Sequence, residues 1–388
     1  MAFAHLQSAL DKRAADGLLR QRHCVQSSAG ALLYVDNIPY LNFASNDYLG
    51  MRQSPEVLEA WLKGMSQYGA GSGASALVCG YTEAHHALEQ HLASALNRDA
   101  VVVFGSGCAA NQAICHVLGH KDSLLLADKY MHASFIDGAL SSEAQFSRFA
   151  HNDMADLKRR LSGAPQDTLI ASESVFSMDG DEAPVNELVA LAKAHEHWLM
   201  LDDAHGFGVL GENGLGVVEA YNLSQADVPV VMGTFGKAIG TAGAFIAGSQ
   251  TVIDSLINFA RHYVYSTAIP PAQAMATLAS IQSDDARQRR QQLASNVSLF
   301  RHLADEHNLS LMPSGSAIQP LVLGSNDRVM QASARLRELG LWVVGMRSPT
   351  VPKGTERLRI TLSASHQTRD IEALVDALVV ALPKGSPL

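Results

Sequence analysis

Short runs of apolar residues recur between residues 100 and 250, and they constrain the fold of this chain more than any other feature. Several runs are apolar at nearly every position, which is typical of strands buried on both faces of a sheet. Amphipathic helical segments lie between some of them, at Met154 to Leu161 and Asn186 to His195. Strands that alternate with helices predict an α/β fold with a mainly parallel central sheet and helices on both sides. The candidate strands are AVVVF (100–104), SLLLAD (123–128), TLIASES (168–174), WLMLDD (198–203), VPVVMGT (228–234) and GAFIAG (243–248).

The chain has 388 residues, more than a single hydrophobic core usually supports, and the pattern changes after about residue 280. A long polar, helix-prone stretch leads there into shorter strands and a further helix at about 327–339. We therefore predict three parts. They are an N-terminal helix with short strands (1–45), a large α/β domain (46–283) and a small C-terminal α+β domain (284–388).

The composition limits the possible partners. A net charge of −9 argues against a nucleic-acid-binding protein, which normally carries a basic face. No apolar run is long enough to cross a bilayer, so no membrane association is predicted. The N-terminus predicts an amphipathic helix instead of a signal peptide, and we expect a cytoplasmic protein. The four cysteines form no C-x-x-C pair, and no metal site is expected.

Polar and glycine-rich segments follow the predicted strands, at the positions where open parallel sheets bind their ligands. Gly105-Ser106-Gly107 comes directly after AVVVF and before a helix, so its backbone N–H groups are suited to binding an anion. The segment lacks the G-x-x-x-x-G-K-[ST] pattern of nucleoside-triphosphate loops. Tight glycine turns also occur where no phosphate binds, and this turn alone does not decide between the two interpretations.

Asp202 and His205 lie where the chain leaves WLMLDD. A carboxylate at the end of a buried strand is expensive to desolvate unless it pairs with a cation, and a protonated pyridine nitrogen is such a cation. The alternative is an aspartate that caps a helix beside a surface histidine. His132 follows SLLLAD and can stack on a planar ring or move protons near neutral pH, although a single histidine is more often a surface residue.

Lys237 closes the segment Gly233-Thr234-Phe235-Gly236-Lys237, directly after VPVVM. Burial among glycine and apolar residues lowers the pKa of a lysine and frees its amine for imine formation. Thr234 offers a hydroxyl group to a phosphate. A lysine in a loop is usually solvated, but here the lysine, the aspartate and the anion-binding turn follow successive strands. This joint arrangement is more specific than any of its parts.

Further segments make the pattern recognisable over nearly the whole chain. They are YLNFASNDYLG (40–50), FGSGCAANQ (104–112), DKYMHAS (128–134), FAHND (149–153), VFSMDGDEAPV (175–185), LDDAHG (201–206), GTFGKAIG (233–240), YSTAIPP (265–271) and PTVPKGTERLRITLSA (349–364). The sequence resembles the α-oxoamine synthases, a branch of the fold-type-I enzymes that use pyridoxal 5'-phosphate (PLP). FAHND, SMDGD and PTVPKGTERLR together are specific, whereas the lysine motif is shared across the family. The resemblance implies an aspartate-aminotransferase-like fold.

The resemblance also implies roles for residues around the cofactor. Lys237 would bind PLP as an imine, and Asp202 would pair with the pyridine nitrogen. His205 would hydrogen-bond the 3-hydroxyl group, and His132 would stack on the ring; these four are the implied catalytic residues. Further cofactor contacts are implied for Gly107, Cys108, Ser177, Thr234, Ser266 and Thr267, the last two across a dimer interface.

For the substrates, the resemblance implies that Arg359 binds the amino-acid carboxylate and that Arg20, Arg347 and Thr350 contact the acyl group. Within the family, the sequence most resembles members that condense L-alanine with a pimeloyl thioester, on coenzyme A or a carrier protein, in biotin synthesis. A homodimer is implied as well. Two alternatives remain open from the sequence: a family member that uses glycine, such as glycine C-acetyltransferase, and a cofactor-free α/β protein that binds a phosphorylated ligand.

Overall fold

The computed structural model describes residues 2–382. Its strands are β1 (Val25–Ala29), β2 (Leu32–Val35), β3 (Ile38–Asn42), β4 (Ala100–Phe104), β5 (Leu124–Asp128), β6 (Gln145–Phe149), β7 (Thr168–Glu173), β8 (Trp198–Asp202), β9 (Val230–Thr234), β10 (Ala244–Gly248), β11 (Ile318–Val322), β12 (Leu341–Trp342), β13 (Val344–Met346) and β14 (Arg357–Thr361).

Its α-helices are α1 (His5–Ala15), α2 (Pro55–Tyr68), α3 (Glu83–Ala95), α4 (Gly107–Leu118), α5 (Ala133–Ser141), α6 (Met154–Leu161), α7 (Val185–Ala194), α8 (Val217–Ala220), α9 (Gln250–Phe259), α10 (Arg261–Val264), α11 (Pro271–Gln282), α12 (Asp285–Glu306), α13 (Asn326–Glu338) and α14 (Thr368–Ala381). A 3-10 helix (Met51–Gln53) and a π-helical turn (Ala76–Gly80) complete the described elements.

The central sheet has seven strands in the order β4-β10-β9-β8-β7-β5-β6. Its neighbours are parallel except where β10 pairs with β4 and β9. Strand β10 runs the opposite way because residues 235–243, which connect it to β9, contain no helix that could carry the chain back along the sheet. The predicted α/β class with a mainly parallel sheet is confirmed. Each of the six candidate strands is present, β4 with the predicted bounds and the others shorter by one or two residues.

Strand β6 was not predicted. Its sequence, QFSRF, mixes polar and aromatic residues, and its burial is incomplete because it lies at the edge of the sheet. An edge strand has a neighbour on one side only, so the continuous apolar run that identifies a central strand is not required of it.

Alternating residues of the strands pack on opposite faces of the sheet. On β4, Val101 and Val103 belong to a buried cluster with residues of α3, α6 and α7. Val102 and Phe104 belong to a second cluster with residues of α4, α5 and α9. This alternation follows from the two-residue period of a strand. The sheet is therefore covered by helices on both sides, which leaves the ends of its strands as the place for polar groups.

The N-terminal strands join the C-terminal part of the chain. Strand β12 pairs in parallel with β3, and β11, β14 and β13 form a separate three-stranded sheet. Phe43 and Tyr48 share one buried cluster with Phe300 of α12 and Ile360 of β14. The predicted domain boundaries stay predictions, but the first and last parts of the chain share a hydrophobic core.

Helix α1 confirms the predicted N-terminal helix, and none of its residues is buried. Between residues 2 and 382 no helix combines the length and the apolar character that crossing a bilayer requires. Within the same range, His, Cys, Asp and Glu side chains form no group that could hold a metal ion.

Candidate active site

Four parallel strands bring polar side chains to the edge of the central sheet that is formed by their carboxyl ends. Asp128, Glu173 and Asp202 are the last residues of β5, β7 and β8. Thr234 ends β9, and Lys237 follows in the connection to β10. Glu173 and Asp202 are register partners on neighbouring strands, so their side chains start from adjacent positions on the same face. The edge predicted from the strand pattern is thus where the structure collects these groups.

Lys237 lies in residues 235–243, which connect β9 to β10 and whose two ends are joined by a hydrogen bond. Its neighbour Phe235 donates its backbone N–H to the carbonyl of Gly243 at 2.9 Å. Lys237 Nζ lies 2.8 Å from His205 Nε2. Burial lowers the pKa of the Lys237 amine below its usual value, although the charge of Asp202 opposes the shift. The amine is therefore more available as a neutral nucleophile than that of an exposed lysine.

His205 connects Lys237 to the N-terminal part of the chain. Its Nδ1 lies 2.6 Å from the hydroxyl oxygen of Tyr48, which in turn donates to Asn46 Oδ1 at 3.3 Å. Burial lowers the pKa of His205 well below its usual value, and the nearby charge of Lys237 lowers it further. The imidazole is neutral near pH 7, so one ring nitrogen donates a hydrogen bond and the other accepts one.

Asp202 is held by a short network of hydrogen bonds and is only 3% exposed. Its Oδ2 accepts from Asn111 Nδ2 at 2.9 Å, and its Oδ1 accepts from the backbone N–H of Ala204 at 3.0 Å. Asn111 Nδ2 also donates to Ser134 Oγ at 3.0 Å, and that hydroxyl lies 2.7 Å from His132 Nδ1. The carboxylate predicted to pair with a ring nitrogen is therefore oriented by Asn111, which also joins it to His132.

The glycine turn after β4 forms the start of a helix. Gly107 is the first residue of α4, and Ser106 Oγ accepts from the backbone N–H of Ala109 at 3.2 Å. First-turn N–H groups have no partner within a helix, so those of Gly107 and Cys108 are available to an anion. A side chain added at Gly105 would meet nothing within 4 Å. The turn has the open approach that a phosphate group needs.

Thr234, Ser266 and Thr267 are the other residues predicted near the phosphate. Thr234 Oγ1 donates to the carbonyl of Gly243 at 2.9 Å. Ser266 and Thr267 are exposed and line a small cavity together with Gly105. Contact across a dimer interface stays a prediction, because the structure contains one chain.

A cavity of about 530 Å³ lies beside His132 and Ser177. Arg20 and Thr350 line it as well, so the structure brings two of the predicted acyl-binding residues to the predicted ring-stacking histidine. Arg347 is not among the residues that line the cavity; its guanidinium instead donates to the backbone carbonyl of Gly17.

Arg359 is buried and lies against the same site from β14. Its Nε donates to the carbonyl of Ser177 at 2.7 Å, and both of its terminal nitrogens lie 3.2 Å from Asn46 Oδ1. Nη1 also donates to Thr361 Oγ1 at 2.9 Å. Because Asn46 accepts from Tyr48 too, the guanidinium is linked through two residues to His205.

Several residues that complete the site were not assigned a role from the sequence. They are Asn46, Tyr48, Asn111, Ser134 and Glu173. Asn46 and Tyr48 lie in YLNFASNDYLG, Asn111 lies in FGSGCAANQ and Ser134 ends DKYMHAS, so the motifs contained the signal. Glu173 lies in the predicted strand TLIASES, two positions before VFSMDGDEAPV, and could have been found from its place in register with Asp202.

The residues at this edge fit PLP. Asn111 Oδ1 and Glu173 Oε1 are buried and have no hydrogen-bond partner among the described residues, and a bound polar group could satisfy them. Lys237 supplies a buried amine for an aldehyde, and Asp202 supplies a buried carboxylate for a pyridine nitrogen. The start of α4 supplies N–H groups for a phosphate.

The chain matches the sequence profile of the family described as aminotransferase class I and II over residues 38–378. It is 46% identical over 379 residues to the 8-amino-7-oxononanoate synthase of Pseudomonas savastanoi pv. phaseolicola, and the match covers 97% of this chain and 96% of that protein. The corresponding enzyme of Enterobacter sp. (strain 638) is 47% identical over 381 residues, with 97% and 98% covered.

Two solved structures are similar over most of the chain. A serine palmitoyltransferase from S. paucimobilis with bound PLP and myriocin has a TM-score of 0.91 and 28% sequence identity, with 98% of this chain and 97% of that chain covered. The 8-amino-7-oxononanoate synthase from Francisella tularensis has a TM-score of 0.77 and 29% identity, with 88% and 97% covered. The fold is that of the fold-type-I PLP enzymes, and PLP is the cofactor. The chain belongs to the class I and II aminotransferase family, and within it to the PLP-dependent acyltransferases that are named 8-amino-7-oxononanoate synthases.

Proposed function

We propose that the protein condenses L-alanine with a pimeloyl thioester to give 8-amino-7-oxononanoate, carbon dioxide and a free thiol, as a step of biotin synthesis. The observation that carries the proposal is the buried Lys237 amine, 2.8 Å from His205, in a chain 46% identical to relatives that are named for this product. We also retain the cytoplasm as its predicted location.

In this proposal Lys237 binds the aldehyde of the cofactor and, once displaced by alanine, removes the proton from alanine Cα. When bound, PLP supplies an electron sink that stabilises negative charge at that carbon. A general base must be unprotonated at the working pH, so the lowered pKa of Lys237 supports this role. His205 contacts the amine directly and limits the directions in which it can point.

Asp202 has the task of holding a proton on the pyridine nitrogen. A carboxylate next to a ring nitrogen favours the protonated ring, and the low exposure of Asp202 strengthens this interaction because water does not screen it. Asn111 fixes the direction of the carboxylate. His132 is positioned at the same network to cover one face of the ring.

Arg359 is proposed to bind the carboxylate of alanine. Its guanidinium can present two parallel N–H donors to a carboxylate, and its present partner Asn46 is neutral, so a charged substrate group would bind more strongly. In the reaction a bond forms between alanine Cα and the thioester carbonyl carbon, and the thiol leaves. The alanine carboxylate then leaves as carbon dioxide, and Cα takes up a proton.

The cavity beside His132 is proposed to bind the acyl chain. Its volume of about 530 Å³ exceeds what an acetyl group needs. Arg20 and Lys129 line it and can pair with the distal carboxylate of a pimeloyl group. Thr350 lines it as well, and Arg347 retains a predicted acyl contact from the sequence. Coenzyme A and a carrier protein are both candidate thiol carriers.

We further propose a homodimer in which Ser266 and Thr267 of each protomer approach the phosphate of the other. Exposed apolar side chains on α2, on the π-helical turn and at Tyr265 support a protein interface. The exposed residues are Leu58, Leu62, Met65, Leu77, Val78 and Tyr265. Light scattering on the purified protein should give twice the chain mass of 41.5 kDa, and a monomer would contradict this proposal.

The function is tested by measuring thiol and carbon dioxide release from the PLP-loaded protein. Pimeloyl, acetyl and succinyl thioesters are each combined with L-alanine or glycine. We expect pimeloyl thioester with L-alanine to give the highest kcat/KM, with one carbon dioxide for each thiol. A preference for glycine with acetyl or succinyl thioester would assign the protein to a glycine-using relative instead. Thiol release without carbon dioxide would contradict the condensation.

A further inference from the structure

His151 lies between two carboxylates at the same edge of the sheet. Its Nδ1 lies 3.0 Å from Asp128 Oδ1, and its Nε2 lies 2.8 Å from Asp181 Oδ2. Asp128 ends β5, His151 follows β6, and Asp181 belongs to residues 176–182 after β7, which we call the 176–182 loop. One imidazole thus connects three segments that are far apart in the sequence.

The two carboxylates also accept hydrogen bonds from other N–H groups. Asp128 accepts from the backbone N–H of Tyr130 at 2.7 Å and from that of Asn152 at 2.9 Å. Asp181 Oδ2 accepts from the Asn152 side chain at 3.0 Å. A neutral imidazole has one nitrogen without a hydrogen, and that nitrogen would face a carboxylate oxygen here. Both contacts are hydrogen bonds only when His151 is an imidazolium.

Aromatic rings enclose the imidazole. The Tyr130 ring stacks on it with centroids 4.4 Å apart, and the Phe176 ring meets it edge-on, also at 4.4 Å. The titratable groups that face His151 are therefore Asp128 from β5, Tyr130 from the turn after it, and Asp181 from the 176–182 loop. The stacked rings and the limited exposure of Asp128 shield the charge pairs from water, so salt screens them weakly.

The opposite side of the 176–182 loop is held by arginines of β14. Arg357 Nη1 donates to Asp179 Oδ1 at 2.6 Å and to the carbonyl of Met178 at 3.3 Å. Arg359 Nε donates to the carbonyl of Ser177 at 2.7 Å. The loop is therefore fixed between His151 on the large sheet and the two arginines on the small one. Its backbone supplies one of the contacts that orient Arg359.

We propose that His151 is a positioning residue for the amino-acid site, because its charge holds the 176–182 loop and, through the Ser177 carbonyl, the direction of Arg359. The inference rests on the proposed function only in using L-alanine as the ligand of Arg359. Loss of the His151 proton would release Asp181 and let the loop move, so alanine binding would weaken while the Lys237 chemistry remained in place.

The pH range follows from the same contacts. Burial disfavours the charged imidazole, but hydrogen bonds and charges from Asp128 and Asp181 outweigh it and raise the pKa of His151 to about 9. The imidazolium is therefore intact at neutral pH and is lost as the pH rises through about 9. The KM for L-alanine should begin to rise there, with a smaller change in kcat.

The first test observes His151 directly in the PLP-loaded wild-type protein, by NMR of carbon-13-labelled histidine across pH 5.5 to 10. The resonance is assigned by its absence in His151→Gln. We expect an imidazolium that persists to about pH 9. A titration near the ordinary value of about 6.5 would overturn the proposal, and this result does not depend on which substrates the enzyme uses.

The second test compares the pH dependence of KM for L-alanine in the wild type and Asp181→Asn. The variant keeps an oxygen acceptor and removes one charge, so the rise in KM should move about 1 to 2 units toward lower pH. His151→Gln should raise KM about tenfold at neutral pH, by loss of a charge-assisted hydrogen bond. An unchanged profile in Asp181→Asn would contradict the role of the charge.

His120→Gln is the matched control, because His120 also pairs with an aspartate, Asp167, at 3.0 Å. Both residues are exposed. His120 precedes β5 and Asp167 precedes β7, so the pair lies at the amino ends of these strands, away from the active site. Its substitution should leave the alanine KM profile unchanged. Activity that is absent with alanine but present with glycine would revise the proposed substrate, and the NMR titration would still decide the state of His151.

Discussion

Lys237 Nζ lies 2.8 Å from His205 Nε2, and the imidazole of His205 also contacts Tyr48. The Tyr48 hydroxyl lies 2.6 Å from Nδ1 of the same ring. Because His205 is buried and neutral, the position of its single ring proton depends on both neighbours. The orientation of the Lys237 amine therefore depends on a residue of the N-terminal segment.

Tyr48→Phe should lower kcat/KM about fivefold, because it removes one hydrogen bond, worth about 1 kcal/mol, from a buried imidazole. The variant should still bind PLP, since Lys237 and Asp202 are unchanged. Steady-state kinetics and a PLP titration measure the two effects. Tyr34→Phe, in the N-terminal strand β2, is the control and should behave like the wild type. Equal kinetics for Tyr48→Phe and the wild type would show that the hydroxyl does not act on His205.

Lys237→Ala should abolish turnover and the absorbance of lysine-bound PLP, because no other amine replaces Lys237 in its contact with His205. Spectroscopy of the purified variant with added PLP and a thiol-release assay check the two expectations. Multiple turnovers by the variant would refute the assignment of Lys237 as the base.

Asn111→Ala should weaken PLP binding and lower the free energy of unfolding by about 1 to 3 kcal/mol, since Oδ2 of the buried Asp202 carboxylate loses the donor that Asn111 supplies. Denaturant unfolding and PLP titration provide the measurements. Gln112→Ala, a half-buried neighbour on α4, is the control. If both variants bound PLP as tightly as the wild type, orientation of Asp202 by Asn111 would be excluded.

Glu173→Gln should change how stability depends on pH. Burial, and next the charge of Asp202, raise the pKa of Glu173 well above its usual value, so the folded protein keeps a proton that the unfolded chain releases above about pH 4.3. The wild-type free energy of unfolding therefore falls as the pH rises beyond that value, by at most about 1.4 kcal/mol per pH unit. The variant carries no such proton and should gain stability relative to the wild type between pH 5 and 8.

The cofactor-free proteins are compared by chemical denaturation at several pH values across that range. Glu338→Gln provides the control, because Glu338 is exposed and its carboxylate pairs with Arg335 on the surface. A stability difference between Glu173→Gln and the wild type that stays constant with pH would mean that Glu173 is ionised in the folded protein.

The central sheet could be predicted from the sequence because its strands are buried on both faces and read as continuous apolar runs. The edge of the sheet that carries Asp202 and Lys237 followed from the same pattern. Strand β6 was missed, since an edge strand needs no such run. The apolar pattern also did not predict that β10 runs antiparallel to β9. The direction of β10 depends on the short connection from β9 and not on the residues of the strand itself.

The hydrogen-bond partners within the site could not be predicted in the same way. Asn111 meets Asp202 from a helix, and Asn46 meets Arg359 from a loop, so each contact depends on how separate elements pack. His151 lay in a segment that marked the family, but its two carboxylate partners come from different strand ends. Motifs identified the chemically important segments, and tertiary packing decided which side chains touch.

The contact between Asn46 and Arg359 joins positions 313 apart in the sequence, which has a consequence for how the enzyme is made. All seven strands of the central sheet, and Lys237, leave the ribosome before α12 and β14 do. The hydrophobic core that contains Tyr48 must wait for α12 and β14. In the order of synthesis, the reactive lysine therefore precedes the arginine proposed to select its substrate.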